Sequence, residues 1–90
     1  FEDLVNLEVL ELSFNYFSSI TAEIFINLLN LKILNLNNNL IKFIDSMSFW
    51  NNSKLTILNL EHNKLKQLNE LTFSRLSNLK SINLANNNLV

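Results

Sequence analysis

The 90-residue sequence contains no cysteine, no proline and no glycine. Without cysteine, this segment has neither a disulfide nor a thiolate metal site. Proline and glycine often shape tight turns, so their absence means that another residue type must turn the chain. Asparagine is best suited, because it tolerates a left-handed backbone better than other non-glycine residues and bonds its neighbouring backbone. The asparagine-rich stretches are therefore expected to be turns.

Charge is nearly balanced, with 7 Lys and Arg residues against 8 Asp and Glu residues and a net charge of -1. No run of like charge could steer a nucleic acid or an anionic membrane, so neither is an expected partner of this segment. Lys42, Lys64 and Lys66 form a small basic cluster, which we interpret as a solvated edge. No apolar stretch approaches the roughly 18 residues that cross a bilayer, which leaves open a membrane anchor elsewhere in a longer protein.

Catalytic chemistry has little support in the sequence. The chain has a single histidine, His62, and the acid beside it is Glu61. Adjacent side chains of a strand point to opposite faces, so the two should diverge and His62 should lie on the rim of a sheet. The chain shows no glycine-rich phosphate loop, no metal-spaced cluster and no Ser/His/Asp set. We therefore expect no enzyme activity, no catalytic residue, no cofactor and no metal site.

One phrase recurs every 24 residues along the chain. It reads LEVLELSFNYF, LKILNLNNNLI, LTILNLEHNKL and LKSINLANNNL, beginning at Leu7, Leu31, Leu55 and Leu79. Its ninth place is always asparagine, at Asn15, Asn39, Asn63 and Asn87. A phenylalanine column follows with the same spacing, at Phe1, Phe25, Phe49 and Phe73. A fixed period of this length is the signature of a repeat array, in which each unit stacks on its neighbours.

Together these columns resemble the leucine-rich repeat, and the resemblance covers the whole chain. The 24-residue unit with a phenylalanine in its second half is similar to the typical extracellular subclass, the type found in Toll-like receptor ectodomains. The resemblance implies an α/β solenoid, a segment of a horseshoe with a parallel concave β-sheet and short helical or irregular convex turns. It also implies an extracellular or cell-surface location, in the ectodomain of a membrane protein or in a secreted protein.

We expect residues 1–90 to form a single array without a second domain. Its full repeats span residues 7–30, 31–54 and 55–78, and partial repeats occupy residues 1–6 and 79–90. Terminal units of such arrays normally carry atypical polar caps, and neither end of this chain departs from the repeat. The chain is therefore expected to be an uncapped fragment of a longer solenoid.

Alternation within each phrase predicts a short strand with one buried face. The Asn column should turn inward and bond backbone groups of the next coil, and the Phe column should fill the core, so we interpret both as structural. Thr21, Asp45 and Asn69 are good N-cap residues and should each start a short helical turn on the convex side. Asn52 stands where the other repeats carry leucine, which predicts a locally rearranged loop over residues 50–54.

The outward columns of the sheet form the candidate binding surface, since curved solenoids present an extended concave face. The candidate partner-binding residues of this face and its rim are Val9, Glu11, Ser13, Phe14, Tyr16, Ile33, Asn35, Asn37, Ile57, Asn59, Glu61 and His62. The branched aliphatic residues among them, Val9, Ile33 and Ile57, also fit cross-strand packing without a ligand, and we favour that interpretation. The aromatic pair also has two interpretations, an interface hot spot or cover for an upstream loop.

The resemblance implies a non-enzymatic module that binds a protein, peptide or glycan ligand on its concave face, within a receptor ectodomain of innate-immune or developmental signalling. Homo- or heterodimerisation is a further mode that the resemblance leaves open. One alternative is a secreted or matrix scaffold for adhesion without signalling activity, and another is an accessory module of a larger enzyme. The sequon Asn51-Asn52-Ser53 predicts N-glycosylation at Asn51 if the chain enters the secretory pathway.

Overall fold

A computed structural model describes residues 3–90, which form successive coils of a solenoid. We number the coils by repeat, the first at 7–30, the second at 31–54, the third at 55–78 and the fourth from 79. Phe1 of the Phe column lies outside the described residues. The described elements are, in chain order, β1 (Val9–Glu11), β2 (Ser19–Ile20), β3 (Ile33–Asn35), β4 (Phe43–Ile44), β5 (Ile57–Asn59), α1 (Glu70–Phe73) and β6 (Ser81–Asn83).

Four strands form one parallel sheet in the order β1-β3-β5-β6. Leu34 of β3 lies between Leu10 of β1 and Leu58 of β5. Leu58 in turn pairs with Ile82 of β6, so each pairing advances by one repeat. Parallel strands need a long connection between them, and the remainder of each repeat supplies it. The parallel sheet predicted from the sequence is confirmed.

The core lies behind this sheet and is built from alternate residues of each phrase. The central leucines are fully buried, at Leu34, Leu36, Leu58 and Leu60. Their equivalents on the outer strands are less covered, because each outer strand has a neighbour on one side only, and Ile82 keeps 39% of its surface exposed. Since burying one leucine side chain contributes roughly 1.5–3 kcal/mol, the second and third coils supply most of the apolar stabilisation.

The Asn column joins neighbouring coils through its side-chain amides. Asn63 donates from Nδ2 to the carbonyls of Leu36 and Leu60, at 3.0 and 3.1 Å, and it accepts at Oδ1 from the N–H of Ile41 at 3.0 Å. The residue is buried, with 5% of its surface exposed. Backbone groups buried at the end of a strand need such partners, because each one left unpaired costs about 1–3 kcal/mol.

The other members of the column show how far this arrangement extends. Asn39 makes the same set of contacts between the first and second coils, and Asn87 makes it between the third and fourth. Asn15 is exposed, and within residues 3–90 its side chain bonds only carbonyls of its own coil, at residues 12 and 13. The amide contacts are thus the same at each of the three junctions between described coils.

A second, smaller parallel sheet joins β2 and β4, with Ile20 opposite Ile44. Beyond it each coil turns back toward the four-stranded sheet. In the third coil, Oδ1 of Asn69 accepts the N–H of Leu71 at 2.9 Å and caps α1. This helix has four residues, and within residues 3–90 no helix has the length and apolarity needed to span a membrane.

The helices predicted after Thr21 and Asp45 do not form. Asp45 accepts the N–H of Met47 at 2.8 Å, as an N-cap would, but hydrogen-bonded turns follow it. Turns also follow Thr21. A single helical turn fixes several backbone angles in exchange for few hydrogen bonds, so a cap residue alone does not decide whether it forms.

The loop rearrangement predicted over residues 50–54 is wrong. Asn52 is fully buried at the leucine position, and its N–H bonds the Phe49 carbonyl at 3.0 Å, as the Leu28 N–H bonds that of Phe25 at 3.1 Å. Its Nδ2 donates to the carbonyls of Phe25 and Leu28 in the preceding coil, which replaces the lost apolar contact with hydrogen bonds. Its Oδ1 has no hydrogen-bond partner within residues 3–90.

Phenylalanine rings fill the core between the turns and the four-stranded sheet. Phe25 and Phe49 are fully buried and stack with ring centroids 6.2 Å apart and planes at 8°. Phe49 and Phe73 stack at the same centroid distance with planes at 22°, and Phe73 is half-buried. Such ring pairs contribute roughly 0.5–1.5 kcal/mol beyond their burial. The stack therefore ties the three coils together and is least covered at the third.

Candidate functional site

The outward residues of the four-stranded sheet form one continuous surface, the sheet face. Its first column places Val9, Ile33, Ile57 and Ser81 opposite one another in register. Val9 and Ile57 expose 53% and 40% of their surface, and Ile33 between them is half-buried. Neighbouring strands lie roughly 4.8 Å apart, so the three branched side chains are close enough to pack as a stripe.

The second column consists of Glu11, Asn35, Asn59 and Asn83. Their side-chain oxygens accept hydrogen bonds from backbone N–H groups. Each asparagine Oδ1 accepts the N–H of the residue two places further on, at 2.9 to 3.2 Å. Asn35 also donates from Nδ2 to Glu11 at 2.9 Å, and Asn83 donates to Glu61 at 3.1 Å. These contacts fix the side chains, so the sheet face presents a polar row that is already ordered.

Glu11 carries the negative charge of this row. The Ser13 N–H donates to its Oε1 at 3.3 Å, while the Asn35 amide donates to Oε2. Hydrogen bonding from Ser13, and next from Asn35, lowers the pKa of Glu11 below its ordinary value, because these donors favour the charged carboxylate. The side chain is therefore ionised at neutral pH and held in one orientation.

A third column lies where each strand has ended and the chain turns. Its members, Phe14, Asn38, His62 and Asn86, all have a left-handed backbone, with φ of 57° or 58°. Asparagine and histidine are enriched in this conformation, whereas for a bulky residue such as phenylalanine it costs roughly 1–2 kcal/mol. Phe14 is therefore the strained member of the column.

Phe14 and Tyr16 form an aromatic rim at the edge of the sheet face. They expose 73% and 88% of their surface, more than any other aromatic residue within 3–90. The Phe14 N–H donates to the Asn37 carbonyl at 3.1 Å, which ties the backbone of the rim to the second coil. The rim thus combines an exposed apolar surface with a strained backbone, two features that each lower stability.

Comparison with known families accounts for this arrangement of columns. The sequence profile of the leucine rich repeat matches residues 5–65 and residues 53–90. The chain belongs to the leucine-rich repeat family. Leucine-rich repeat domains in general mediate protein–protein binding and are typically non-enzymatic. No curated protein sequence matches the chain.

In this leucine-rich repeat chain the predicted divergence of Glu61 and His62 is wrong. His62 Nε2 lies 3.5 Å from Glu61 Oε2, and Asn86 Nδ2 lies 3.4 Å from the same nitrogen. The left-handed backbone at His62 is the reason, because it interrupts the alternation of a strand and turns the ring toward its neighbour. The His62 side chain is 53% exposed, so the contact lies at the surface.

The candidate residues fall into separate places on the repeat. The sheet face gathers the outward columns, and the aromatic rim lies on its edge. Asn51, the residue of the sequon, lies among the turns of the second coil, where it is half-buried and donates from Nδ2 to the Ile26 carbonyl at 3.0 Å. A glycan at Asn51 would therefore leave the sheet face uncovered.

The structure contains one further surface, which the sequence does not predict. It is a groove of about 580 Å³ between β4 and the segment of the third coil that is equivalent to β4. Residues lining it include Lys42, Phe43, Ile44, Lys66, Leu68 and Phe73. One signal was present in the sequence, since Phe43 occupies a column that holds polar Ser19 and Gln67 in the neighbouring repeats. A large apolar residue in a polar column indicates that this coil differs from the others.

Proposed function

We propose that this segment binds a protein partner through its sheet face and aromatic rim, as part of an extracellular receptor ectodomain. The class of partner follows from the family, whose domains bind proteins in general. The receptor role rests on the similarity of the 24-residue unit to Toll-like receptor ectodomains. A stable complex would bury about 800 Å² on each partner.

The aromatic rim is the observation that carries this proposal. Phe14 has a left-handed backbone with φ of 57°, and it keeps 73% of its surface in solvent. Asn38 and Asn86 make the same turn with less strain, so the turn itself does not need phenylalanine. Strained residues of this kind cluster at binding and switch sites. Covering the rings of Phe14 and Tyr16 with a partner would recover about 25 cal/mol for each Å² of apolar surface removed from water.

The sheet face would supply the polar part of the interface. Glu11 is ionised and held by Ser13 and Asn35, so it favours a basic group on the partner. Side chains that are already ordered lose little conformational entropy on binding. Tyrosine is enriched among interface hot spots, and the contacts that surround a hot spot keep water away from it.

The test uses substitutions that separate binding from folding. Phe14→Asn removes the ring and leaves a residue suited to the left-handed turn, so the chain should unfold at an equal or higher temperature. Tyr16→Ser removes the second ring. The chain is screened by biolayer interferometry against an array of secreted and cell-surface ectodomains. Proteins that bind it should bind the double variant at least about 30-fold more weakly, as expected for a hot spot.

Leu71→Ser is the matched control, because Leu71 is 62% exposed and lies in α1, away from the sheet face. It should leave the affinities unchanged. Partners that bind the double variant as tightly as the original chain, or that lose affinity through Leu71→Ser instead, would contradict the proposal.

The glycan predicted at Asn51 has its own test. Its Nδ2 donates one hydrogen to the Ile26 carbonyl, and attachment of a sugar replaces only one of the two amide hydrogens. Expressed behind a signal peptide in mammalian cells, the chain should lose mass on treatment with a peptide N-glycosidase. The Ser53→Ala variant should not, since it lacks the sequon. A secreted chain that is unmodified at Asn51 would remove the glycan from the proposal.

A further inference from the structure

Backbone hydrogen bonds join the first coil to the second along β2 and β4. The Lys42 N–H donates to the Ser18 carbonyl, and the Asp45 N–H donates to that of Ile20, each at 2.9 Å. These bonds flank the paired strands and close the ladder on both sides of them. The first two coils therefore lie against each other without a gap at this level.

The same ladder is open between the second and third coils. The equivalent bonds would join Lys66 to the Lys42 carbonyl and Asn69 to the Ile44 carbonyl, and neither forms within the described part of the chain. β4 accordingly pairs with β2 alone. Its outer edge carries backbone groups that have no strand beside them, which is a template for pairing with another chain.

The opening is local, because the two coils meet again on either side of it. Before the gap in chain order, the Lys64 N–H donates to the Ile41 carbonyl at 2.8 Å. After it, the rings of Phe49 and Phe73 stack with their centroids 6.2 Å apart. The groove is thus bounded at both ends by contacts that hold the second and third coils together.

Side chains around the groove select for a particular kind of segment. Lys42 and Lys66 line it, and no acidic residue among residues 3–90 does. Phe43 also lines it and keeps 59% of its surface exposed, while Leu68 is 40% exposed. A segment that fits must therefore supply negative charge for the lysines and apolar side chains for the groove wall.

The groove has a volume of about 580 Å³, which leaves room for a short extended segment. Four extended residues span roughly 13 Å, and they would lie about 4.8 Å from the strand with which they pair.

We propose that this groove binds an extended acidic segment of a partner protein, which adds to the open edge of β4 as a further strand. Its backbone N–H groups donate to the carbonyls of Lys42 and Ile44. Its carboxylates pair with Lys42 and Lys66, and its apolar side chains pack on Phe43 and Leu68. This site is separate from the sheet face and the aromatic rim, so either can fail while the other holds.

The test uses a blocked octapeptide that alternates glutamate and valine and carries fluorescein, with binding to the chain read by fluorescence anisotropy. The double variant Lys42→Glu, Lys66→Glu should weaken binding at least about ten-fold, since both charge pairs become repulsive. A peptide with lysine in place of glutamate should not bind. Lys80→Glu is the matched control, an exposed lysine outside the groove, and should leave the affinity unchanged.

A second peptide and a second measurement separate strand addition from simple charge attraction. Methylation of alternate backbone nitrogens removes the donors to β4 and should weaken binding at least about ten-fold at unchanged peptide charge. Amide shifts in an NMR titration should concentrate at residues 42–44 and 66–68. Equal binding of the methylated peptide, shifts confined to residues 9–11 and 33–35, or no binding at all would each overturn the proposal. In the last case the two lysines only protect an open edge.

Discussion

The four-stranded and two-stranded sheets arise from the same repeat, yet they extend differently along the chain. The larger sheet continues through every described coil, in the order β1-β3-β5-β6, whereas the smaller one consists of β2 and β4. Behind the larger sheet, each junction between coils repeats the same Asn amide contacts. On the turn side, the first two coils form hydrogen-bonded turns and the third forms a capped helix.

This difference shows what the repeat must preserve and what it can vary. An inward Asn bonds carbonyls of two coils, so losing it leaves buried backbone groups unpaired on both. The cap of α1 and the contact of Asp45 with Met47 each lie within one coil, so a change there stays local. A new surface can therefore arise on the turn side without disturbing the larger sheet, and the groove beside β4 is one.

The largest expected effect compares two phenylalanines of the same column. Phe49→Ala removes a fully buried ring that stacks on both neighbours, and it should lower the free energy of unfolding by about 3–5 kcal/mol. Phe73→Ala removes a half-buried ring that borders the groove, and it should cost only about 2 kcal/mol. Urea unfolding of the two variants measures the difference. Equal losses would show that the third coil is packed as tightly as the second.

The next comparison sets the inward Asn column against the outward one. Asn63→Leu removes three donated bonds and one accepted bond at a buried site, and it should cost on the order of 3 kcal/mol. Asn59→Leu removes one bond, to the Glu61 N–H on the sheet face, and it should cost about 1 kcal/mol. Thermal unfolding followed by circular dichroism distinguishes them. If the two variants melt together, the inward column is not the main link between coils.

Much of the fold could be predicted because it depends on identical residues in identical places. The strand order and register follow from the 24-residue spacing of Leu10, Leu34, Leu58 and Ile82, each of which pairs with its equivalent in the next coil. The turn side could not be predicted in the same way. Whether the groove opens depends on backbone bonds between Lys66 and Lys42 that no single residue type encodes.

Two wrong predictions have the same physical origin, since each was based on the residue type alone and ignored the backbone around that residue. Asn52 keeps the backbone conformation that Leu28 has at the same place in the first coil, because carbonyls of that coil lie within reach of its side-chain amide. His62 turns toward Glu61 because its φ is 57° and not that of a strand. The sequence does not show where these carbonyls lie. It does not show the φ value of His62 either, because no glycine marks the left-handed position.

Asn52→Leu tests whether the turn side tolerates change as the comparison suggests. The variant loses two bonds from Nδ2 and removes the buried, unpaired Oδ1. The carbonyls of Phe25 and Leu28 keep the backbone donors that they already have. Stability should therefore stay within about 1 kcal/mol of the original chain, because the lost bonds and the relieved desolvation are of similar size. A loss of several kcal/mol in urea unfolding would show that the amide bonds hold the second coil in place.

The smallest effect is expected on the sheet face, where Glu11 reports whether the polar row is ordered. Hydrogen bonding from Ser13 and Asn35 puts the folded pKa of Glu11 below its ordinary value, so between the two values the unfolded chain binds more protons. The contribution to stability is complete above the ordinary value and is lost as the pH falls through the folded pKa. Glu11→Gln should flatten the dependence of the unfolding free energy on pH in that acidic window. It should leave the slope near neutral pH unchanged.

Glu8 provides the contrast that makes this measurement specific. Its carboxylate lies 2.8 Å from the Lys32 ammonium, which lowers its pKa through a charged hydrogen bond. Salt screens an exposed ion pair more than a bond from neutral donors, so added salt should weaken the acid dependence due to Glu8 and spare that due to Glu11. Measuring unfolding against pH at low and high salt for Glu8→Gln and Glu11→Gln separates the contributions of the two carboxylates to the acid dependence of stability. If Glu8→Gln alone removes the acid dependence, the Glu11 side chain is mobile, and the sheet face loses the preorganisation on which its proposed binding role depends.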